Sequence, residues 1–183
     1  MSHLLEIALG IGLAAATGFR VFVPLALLGL AARFELLTLA SGFAWIGSTP
    51  ALVILATACL LEIGAYYIPW VDNLLDTIAT PAAVVAGVTV SAAVMADLSP
   101  ELRWTLALIA GGGVAGLVQG STVVARQASS LATLGLGNFA LATAEALLAF
   151  FTTALAILVP LFVLVLLGVL VLWRVRRHRE AVT

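Results

Sequence analysis

Long apolar runs separated by short polar connections fill almost the whole chain. A helix needs about 20 apolar residues to cross the hydrocarbon core of a bilayer. By that measure the pattern predicts an all-α polytopic membrane protein with about six membrane-spanning helices. The predicted spans cover residues 4–32, 50–68, 81–96 and 103–124, followed by two spans within residues 138–173.

The last apolar run, residues 138–173, is longer than one span requires. As a straight helix it would extend about 54 Å, whereas the hydrocarbon core is about 30 Å thick. We therefore divide the run at Pro160 into a fifth and a sixth span. The alternative is a single long helix that kinks at this proline.

Small residues recur at every fourth position in the first and the fourth predicted spans. These positions are Gly10, Ala14, Gly18, Gly112, Gly116 and Gly120. Such spacing lets two helix backbones approach closely within a membrane. We therefore expect the two ladders to pack the first and fourth helices together, or one protomer against another.

Other features also recur between the two halves of the chain. Each half has a glutamate inside an apolar run, Glu62 or Glu145, and a proline at the head of the next run. With the ladders, this correspondence predicts two three-helix repeats, residues 4–97 and 100–173. Because each repeat has an odd number of spans, the two would be inverted relative to each other in the membrane.

The composition indicates a lipid bilayer as the surroundings of most of the chain. Hydrophobic residues make up 63% of the sequence and charged residues only 9%, whereas a soluble domain carries roughly 25% charged residues. The net charge of -1 does not indicate a nucleic-acid partner. The single cysteine excludes an internal disulfide, and no cluster of His and Cys in the sequence predicts a metal or a cofactor.

The distribution of arginines predicts the orientation in the membrane. Four arginines follow the last apolar run, and they are Arg174, Arg176, Arg177 and Arg179. The positive-inside rule places this tail, residues 174–183, in the cytoplasm, and six spans in the transmembrane domain 1–173 place the N-terminus there as well. The host membrane would be a bacterial inner membrane, with Arg33 and Arg103 as exceptions on its outer side. The tail could also bind anionic lipid headgroups.

Charged side chains inside the predicted spans are the strongest candidates for chemistry. A charge at the bilayer centre costs about 2.5–3.5 kcal/mol or more, so it persists where it is paired, protonated or in contact with water. Arg20, Glu62 and Glu145 are interpreted as lining a polar pathway; the alternative is a structural Arg–Glu pair. Arg20 lies close to Pro24 in a stretch that could unwind. Arg126, near a span end, could simply snorkel to the surface.

A polar stripe continues from Glu62 toward the membrane surface. If the chain stays helical, Tyr66, Asn73 and Asp76 fall on the same face as Glu62. With Asp72 they could form an acidic vestibule at the inner mouth of the pathway, where it would attract cations. Alternatively, the tyrosine belongs to an interfacial aromatic belt and the acids are solvated. Asp72 and Asp76 also have the spacing of an Mg²⁺-binding carboxylate pair in a membrane lipid-phosphate enzyme.

Three segments of the sequence are similar to a known family. Residues 10–20, 62–76 and 111–120 resemble a family of small bacterial inner-membrane proteins that is catalogued only as a domain of unknown function. The resemblance extends over residues 4–160. It implies a polytopic helical membrane protein and no particular activity.

Together these features predict a small transporter or channel for a cation, a proton-coupled solute or a small metabolite. Gln119, beside the second ladder, belongs to the candidate pathway unless it only forms an interhelical hydrogen bond. A homo-oligomer is compatible with so few helices. The alternative functions are a non-transporting scaffold or lipid-binding assembly protein and, third, an Mg²⁺-dependent enzyme; an enzyme is the least favoured class.

Overall fold

A computed structural model describes residues 3–68 and 71–180; for residues 72, 73 and 160–180 it describes the backbone alone. Every regular element within these ranges is helical, which confirms the all-α prediction. The elements are α1 His3–Phe19, α2 Phe22–Arg33, a 3₁₀ helix Ser41–Gly47, α3 Thr49–Ala65, α4 Val71–Val94, α5 Pro100–Leu106, a π-helical segment Ala107–Gly112, α6 Gly113–Thr133 and α7 Asn138–Glu180.

Three helical stretches of the described chain are long and apolar enough to cross a membrane. They are Leu74–Val94, Pro100–Thr133 and Asn138–Val159. The 3₁₀ helix and α3, which meet at 65°, form a fourth if they are counted as one span, and α1 and α2 are shorter apolar helices. The structure is therefore that of a helical membrane protein, and it does not divide into six long spans.

Helix α1 runs antiparallel to α4. The Ser91 hydroxyl donates a hydrogen bond of 2.9 Å to the carbonyl oxygen of Gly10, near the start of α1. The Thr17 hydroxyl, near the end of α1, lies 3.4 Å from the carbonyl oxygen of Ala83, which is two turns earlier in α4. The glutamate at the start of α1, Glu6, also lies beside the residues that follow α4, because its carboxylate accepts the backbone N–H of Asp97.

Helix α2 returns along α4 in the opposite direction to α1. At the start of α2, Val21 packs against Ala83 and Ala86. Beyond its end, the Ala40 N–H donates 2.9 Å to the carbonyl oxygen of Ala93, near the end of α4. The chain therefore reverses at Arg20, and the predicted single span 4–32 is in fact a hairpin of two shorter helices.

Helix α7 continues through Pro160, so the predicted division into a fifth and a sixth span was wrong. Its 43 residues form the single long helix that was the alternative. The residues around Pro160 are apolar, and a turn made from them would leave backbone groups without partners in the bilayer. Continuing the helix loses only the hydrogen bond that a proline cannot donate. The described second half therefore has two long helical stretches, Pro100–Thr133 and α7, and not the three spans of the predicted inverted repeat.

Two other predicted boundaries also differ from the structure. Pro81 lies inside α4, which already begins at Val71. Helix α6 continues to Thr133, beyond the end of the predicted span 103–124. At the start of α5, the Ser99 hydroxyl accepts the N–H of Leu102, at 3.5 Å.

The bundle has two ends, which we name after residues that lie there. The Glu6 end holds the start of α1, the chain after α2 and the turn between α4 and α5. The Tyr67 end holds the end of α3 and the turn between α6 and α7. Helix α7 begins at the Tyr67 end, passes Gly12 of α1 at Ala156 and continues beyond the Glu6 end.

Glycines let α1 approach α6 closely and let α4 approach the π-helical segment closely. A Cβ on Gly18 would lie 2.8 Å from the carbonyl oxygen of Ala115 in α6, and a Cβ on Gly87 would lie 2.8 Å from the carbonyl oxygen of Gly111. Backbones that approach this closely leave no room for a side chain. The other ladder residues Gly10, Gly112 and Gly116 face α4, Ala14 is buried, and Gly120 faces open space.

We predict that Gly87→Ala destabilises the protein, because the new methyl group would overlap the Gly111 carbonyl oxygen. Overpacking of this kind costs about 1–3 kcal/mol. Gly64→Ala in α3 is the matched control, since its Cβ would meet no atom within 4 Å and alanine favours a helix more than glycine does. Thermal unfolding in detergent micelles should show a lower Tm for Gly87→Ala alone; equal Tm values would contradict the close crossing.

Candidate functional site: a buried charge cluster

The interruption between α1 and α2 is stabilised by a glutamate from α3. The Glu62 carboxylate accepts the backbone N–H of Val21 at 2.7 Å and that of Phe22 at 3.0 Å. These N–H groups belong to the first turn of α2 and have no partner within the helix. Glu62 therefore caps α2, and its negative charge lies at the positive end of the helix dipole. Pro24 also lies in this first turn, where a missing N–H costs little.

Arg20, at the tip of the hairpin, is directed toward α7. Its Nη1 donates to Glu145 Oε2 at 2.8 Å and to the Phe19 carbonyl oxygen at 3.2 Å. Its Nη2 donates to the Ala142 carbonyl oxygen at 2.9 Å. Only 1% of Arg20 is exposed. The hairpin tip is thus joined to α7 by an ion pair and a hydrogen bond to the backbone.

Arg126 of α6 binds the same glutamate and also reaches α4. Its Nε donates to Glu145 Oε1 at 3.2 Å, and its Nη2 donates to Glu145 Oε2. Its Nη1 lies 2.8 Å from Asp76 Oδ1. This guanidinium therefore holds one carboxylate with two parallel hydrogen bonds, a geometry that gives strong and directional pairing. Glu145 is shared by two arginines from different helices.

Tyr66 contacts both guanidinium groups. The Cζ atom of Arg20 lies 3.9 Å from the centroid of the ring, and that of Arg126 lies 4.0 Å from it. A cation over an aromatic face gains about 2 kcal/mol or more when water is excluded, and this ring is buried. Tyr66 thus stabilises two like charges that the shared carboxylate holds close together.

Five ionisable side chains meet at this point, and we call them, with Tyr66, the charge cluster. They are Arg20, Glu62, Asp76, Arg126 and Glu145. Burying charges is favourable only where each is paired and hydrogen-bonded. Within the described residues, buried polar atoms without a hydrogen-bond partner include Arg20 Nε and Gln119 Nε2. Gln119 lies two turns before Arg126 on the same buried face of α6.

The charge cluster lies close to the Tyr67 end. Glu145 is about two turns into α7, or roughly 10 Å from its start. Above it, the Tyr67 hydroxyl forms a 2.7 Å hydrogen bond with the Thr143 hydroxyl, and its ring stacks on Phe139 with centroids 6.3 Å apart. These contacts join α7 to the residues after α3 at the Tyr67 end.

The structure brings together most of the residues that the sequence singled out. Arg20, Glu62, Tyr66, Asp76 and Glu145 are in the charge cluster, and Gln119 lies on the α6 face that leads to it. The side chains of Asp72 and Asn73 lie outside the described residues, although their backbones belong to the first turn of α4.

Two details of the predicted site change. Among the ion pairs of the described residues, Arg20 pairs with Glu145 and not with Glu62. The acidic residue Asp76 and the arginine tail, which were both predicted on the cytoplasmic side, are also far apart along α7, because Asp76 lies near its start and the arginines are in its last turns. Both differences follow from the reversal at Arg20 and the continuity of α7.

The sequence interpretation missed the role of Arg126 and a polar group at the opposite end. Snorkelling was given as one interpretation of Arg126, yet only 2% of it is exposed. At the Glu6 end, Glu6 is buried, and its carboxylate lies 3.4 Å from the Asp97 N–H. There Arg103 donates to the carbonyl oxygens of Met95, Ala96 and Leu98 after α4. The presence of both signs of charge inside the predicted spans was the available signal for these pairings.

The described residues contain no group of three or more His, Cys, Asp or Glu side chains that could hold a metal ion. The fold and the charge cluster define a helical membrane protein with an interrupted hairpin and buried ion pairs at its tip. The chain belongs to the family described as Domain of unknown function (DUF4126), whose model matches residues 7–179. This confirms the resemblance inferred from the sequence. A search of curated proteins and a search of solved structures gave no match.

We predict that Arg126→Gln strongly destabilises the protein, because it removes a cation that Glu145 and Asp76 share. Breaking a buried ion pair by removing one partner costs about 3–5 kcal/mol. Arg33→Gln is the control, since Arg33 is exposed at the end of α2, and its Tm should change little. Thermal unfolding in micelles measures both variants; a wild-type Tm for Arg126→Gln would contradict the pairing.

Proposed function

We propose that the protein is a small membrane transporter or channel whose pathway passes through the charge cluster. The observation that carries this proposal is the interrupted hairpin with Arg20 buried at its tip. Ionisable residues inside membrane domains are costly and commonly mark solute or proton pathways. Discontinuous helices with their ends directed at a polar site are typical of secondary transporters.

The position and the bonding of the cluster also support a transport function. The pairs between Arg20, Arg126 and Glu145 join three different elements, so parting them would let those elements separate. At the near end, the Tyr67 and Thr143 hydroxyls are joined by one exposed hydrogen bond. A solute that enters the proposed pathway there would meet this contact before the cluster.

For the membrane topology we propose four complete crossings and one hairpin that enters and leaves at the Glu6 end. The crossings are the 3₁₀ helix with α3, then α4, then α5 to α6, and α7. An even number keeps both termini on one side. Arg33, Arg103 and the arginine tail then share the Glu6 end, and the positive-inside rule makes that end cytoplasmic. This topology replaces the six predicted spans and suits a bacterial inner membrane. It places Arg33 and Arg103 on the same side as the arginine tail, so neither is an exception to the positive-inside rule.

Labelling of single cysteines tests this orientation. In a Cys59→Ser background, Leu136→Cys at the Tyr67 end should react with a membrane-impermeant maleimide added to intact cells. Thr38→Cys at the Glu6 end should react only after the membrane is permeabilised. Both positions are exposed, so reactivity reports the side of the membrane. The opposite pattern would reverse the orientation, and equal labelling of both would refute the topology.

Flux through reconstituted liposomes tests the transport function. We expect uptake of at least one of ⁸⁶Rb⁺, radiolabelled phosphate, lactate or gluconate above that of protein-free liposomes. Glu62→Gln should lower this flux about ten-fold or more, because it removes the charge that caps α2. The matched control is Glu6→Gln, another buried carboxylate that accepts a backbone N–H, and it should retain the flux. No uptake of any solute, or equal loss in both variants, would contradict the proposal.

A non-transporting scaffold is the second candidate, and extensive pairing within the cluster favours it. A scaffold would tolerate Glu62→Gln and show no flux. Gly116→Leu would not by itself identify a scaffold, because Gly116 faces Val84 inside the bundle, where its Cβ would lie 3.2 Å from Val84 Cγ2. A homo-oligomer and binding of anionic lipid by the arginine tail stay predictions.

The third candidate, an Mg²⁺-dependent enzyme, receives no support from Asp76. Its carboxylate lies 2.8 Å from Arg126 Nη1, and a carboxylate held by a guanidinium is a poor ligand for a cation. We therefore do not extend this hypothesis.

A further inference from the structure

The position of the Glu145 carboxylate has the properties of a binding site for a carboxylate. Its Oε2 accepts from both Arg20 and Arg126, and its Oε1 accepts a second bond from Arg126. Guanidinium groups match a planar carboxylate with paired donors. The side chain of Glu145 is only 5% exposed. The protein thus fills an anion site with one of its own side chains.

We propose that a small organic monocarboxylate binds where the Glu145 carboxylate now lies, and that Glu145 vacates this place when it takes up a proton. The inference rests on the proposed transport function and names the substrate class and the coupling ion. The proton would come from the solution at the Tyr67 end and bind a Glu145 oxygen. Proton and carboxylate would then be released together at the opposite side, so that no net charge moves.

The surroundings of Glu145 show which cation the substrate would neutralise. Arg20 from the hairpin and Arg126 from α6 face it directly, while Asp76 from α4 lies against Arg126. Glu62 from α3 is engaged by the N-terminus of α2. If Glu145 lost its charge, Arg126 would still have the Asp76 carboxylate beside it. Arg20 would keep its hydrogen bonds to two backbone carbonyl oxygens, those of Phe19 and Ala142. Arg20 is therefore the cation that the substrate would neutralise.

Arg20 also has a donor to spare. Within the described residues its Nε has no hydrogen-bond partner, although the residue is 1% exposed. An incoming carboxylate could therefore gain one more hydrogen bond than Glu145 makes with this guanidinium. A metal or alkali cation would instead meet two guanidinium groups, so the site favours an anion. The Tyr66 ring lies about 4 Å from both guanidinium groups, so it borders the place where the anion would bind.

Uptake by proteoliposomes that contain the full-length wild-type protein tests the inference. The probes are radiolabelled lactate and gluconate, with ⁸⁶Rb⁺ and phosphate as comparisons and protein-free liposomes subtracted. With an acidic exterior, we expect uptake of at least one carboxylate to rise about ten-fold over uptake without a pH gradient. A potential imposed with valinomycin and K⁺ should leave the rate unchanged, because one proton accompanies one negative charge.

The outcomes separate this inference from the proposed function. Uptake of ⁸⁶Rb⁺ or phosphate without uptake of either carboxylate would overturn the inference and leave a transport function standing. No uptake of any probe would overturn both. Carboxylate uptake that ignores the pH gradient, or that follows the imposed potential, would refute the coupling to one proton.

Glu145→Gln adds a test of the coupling group itself. An amide cannot carry the proton, so we expect proton-driven accumulation to fall ten-fold or more. Exchange of internal for external lactate needs no net proton movement and should stay measurable. The control is Thr153→Val, which changes a buried residue of the same helix whose hydroxyl bonds only to Ala149 among the described contacts. If Glu145→Gln accumulates carboxylate as the wild type does, Glu145 is not the coupling group; if it does not fold, the wild-type measurements decide.

Discussion

The hydrogen bonds from Val21 and Phe22 to the Glu62 carboxylate are the interaction on which the rest of the structure depends. A helix that breaks inside a membrane domain exposes backbone N–H groups, and the bilayer offers no water to satisfy them. Glu62 satisfies two of these groups and complements the helix dipole. With this cap in place, the chain can reverse at Arg20 and leave a cation at the tip of a buried hairpin. The pairing with Glu145 is then required, because that cation has no access to solvent.

Each charged side chain of the charge cluster depends on other members of the cluster for its pairing. Glu145 neutralises two guanidinium groups, and the Tyr66 ring contacts both, with each cation about 4 Å from its centroid. Asp76 adds a second acid beside Arg126. These residues come from five different parts of the chain, so the cluster joins elements that are distant in sequence. Such an arrangement is stable only as a whole, since removing one member leaves a buried charge without a partner.

Sequence reasoning identified the membrane character, the helical class and most of the cluster, because a charge in an apolar run is conspicuous. It did not find the partner of each charge: Arg20 binds Glu145, which is 125 residues away, and spacing within one helix gives no information about such contacts. The reversal at Arg20 was also missed, although unwinding there was expected, since the apolar pattern is the same in a hairpin and in a straight span. The break predicted at Pro160 was wrong because a proline alone does not end a helix that has no polar turn to replace it. The Gly87–Gly111 contact could not be foreseen, because it joins two positions on different helices.

The close crossing of Gly87 and Gly111 gives the two ends of the bundle different kinetics. At the Tyr67 end the contacts beside the cluster are made by side chains, those of Tyr67, Thr143 and Phe139, and exposed side chains change rotamer in picoseconds to nanoseconds. Between the cluster and the Glu6 end, the backbones of α4 and the π-helical segment approach each other closely at Gly87 and Gly111. Separation of these two backbones would be a rigid-body motion, which takes microseconds to milliseconds. A π-helical segment is a rare element that is frequently found at functional sites, and here it forms one side of this crossing. In the transport cycle that we propose, the slow step is therefore a movement of backbone, on the side that faces away from Tyr67.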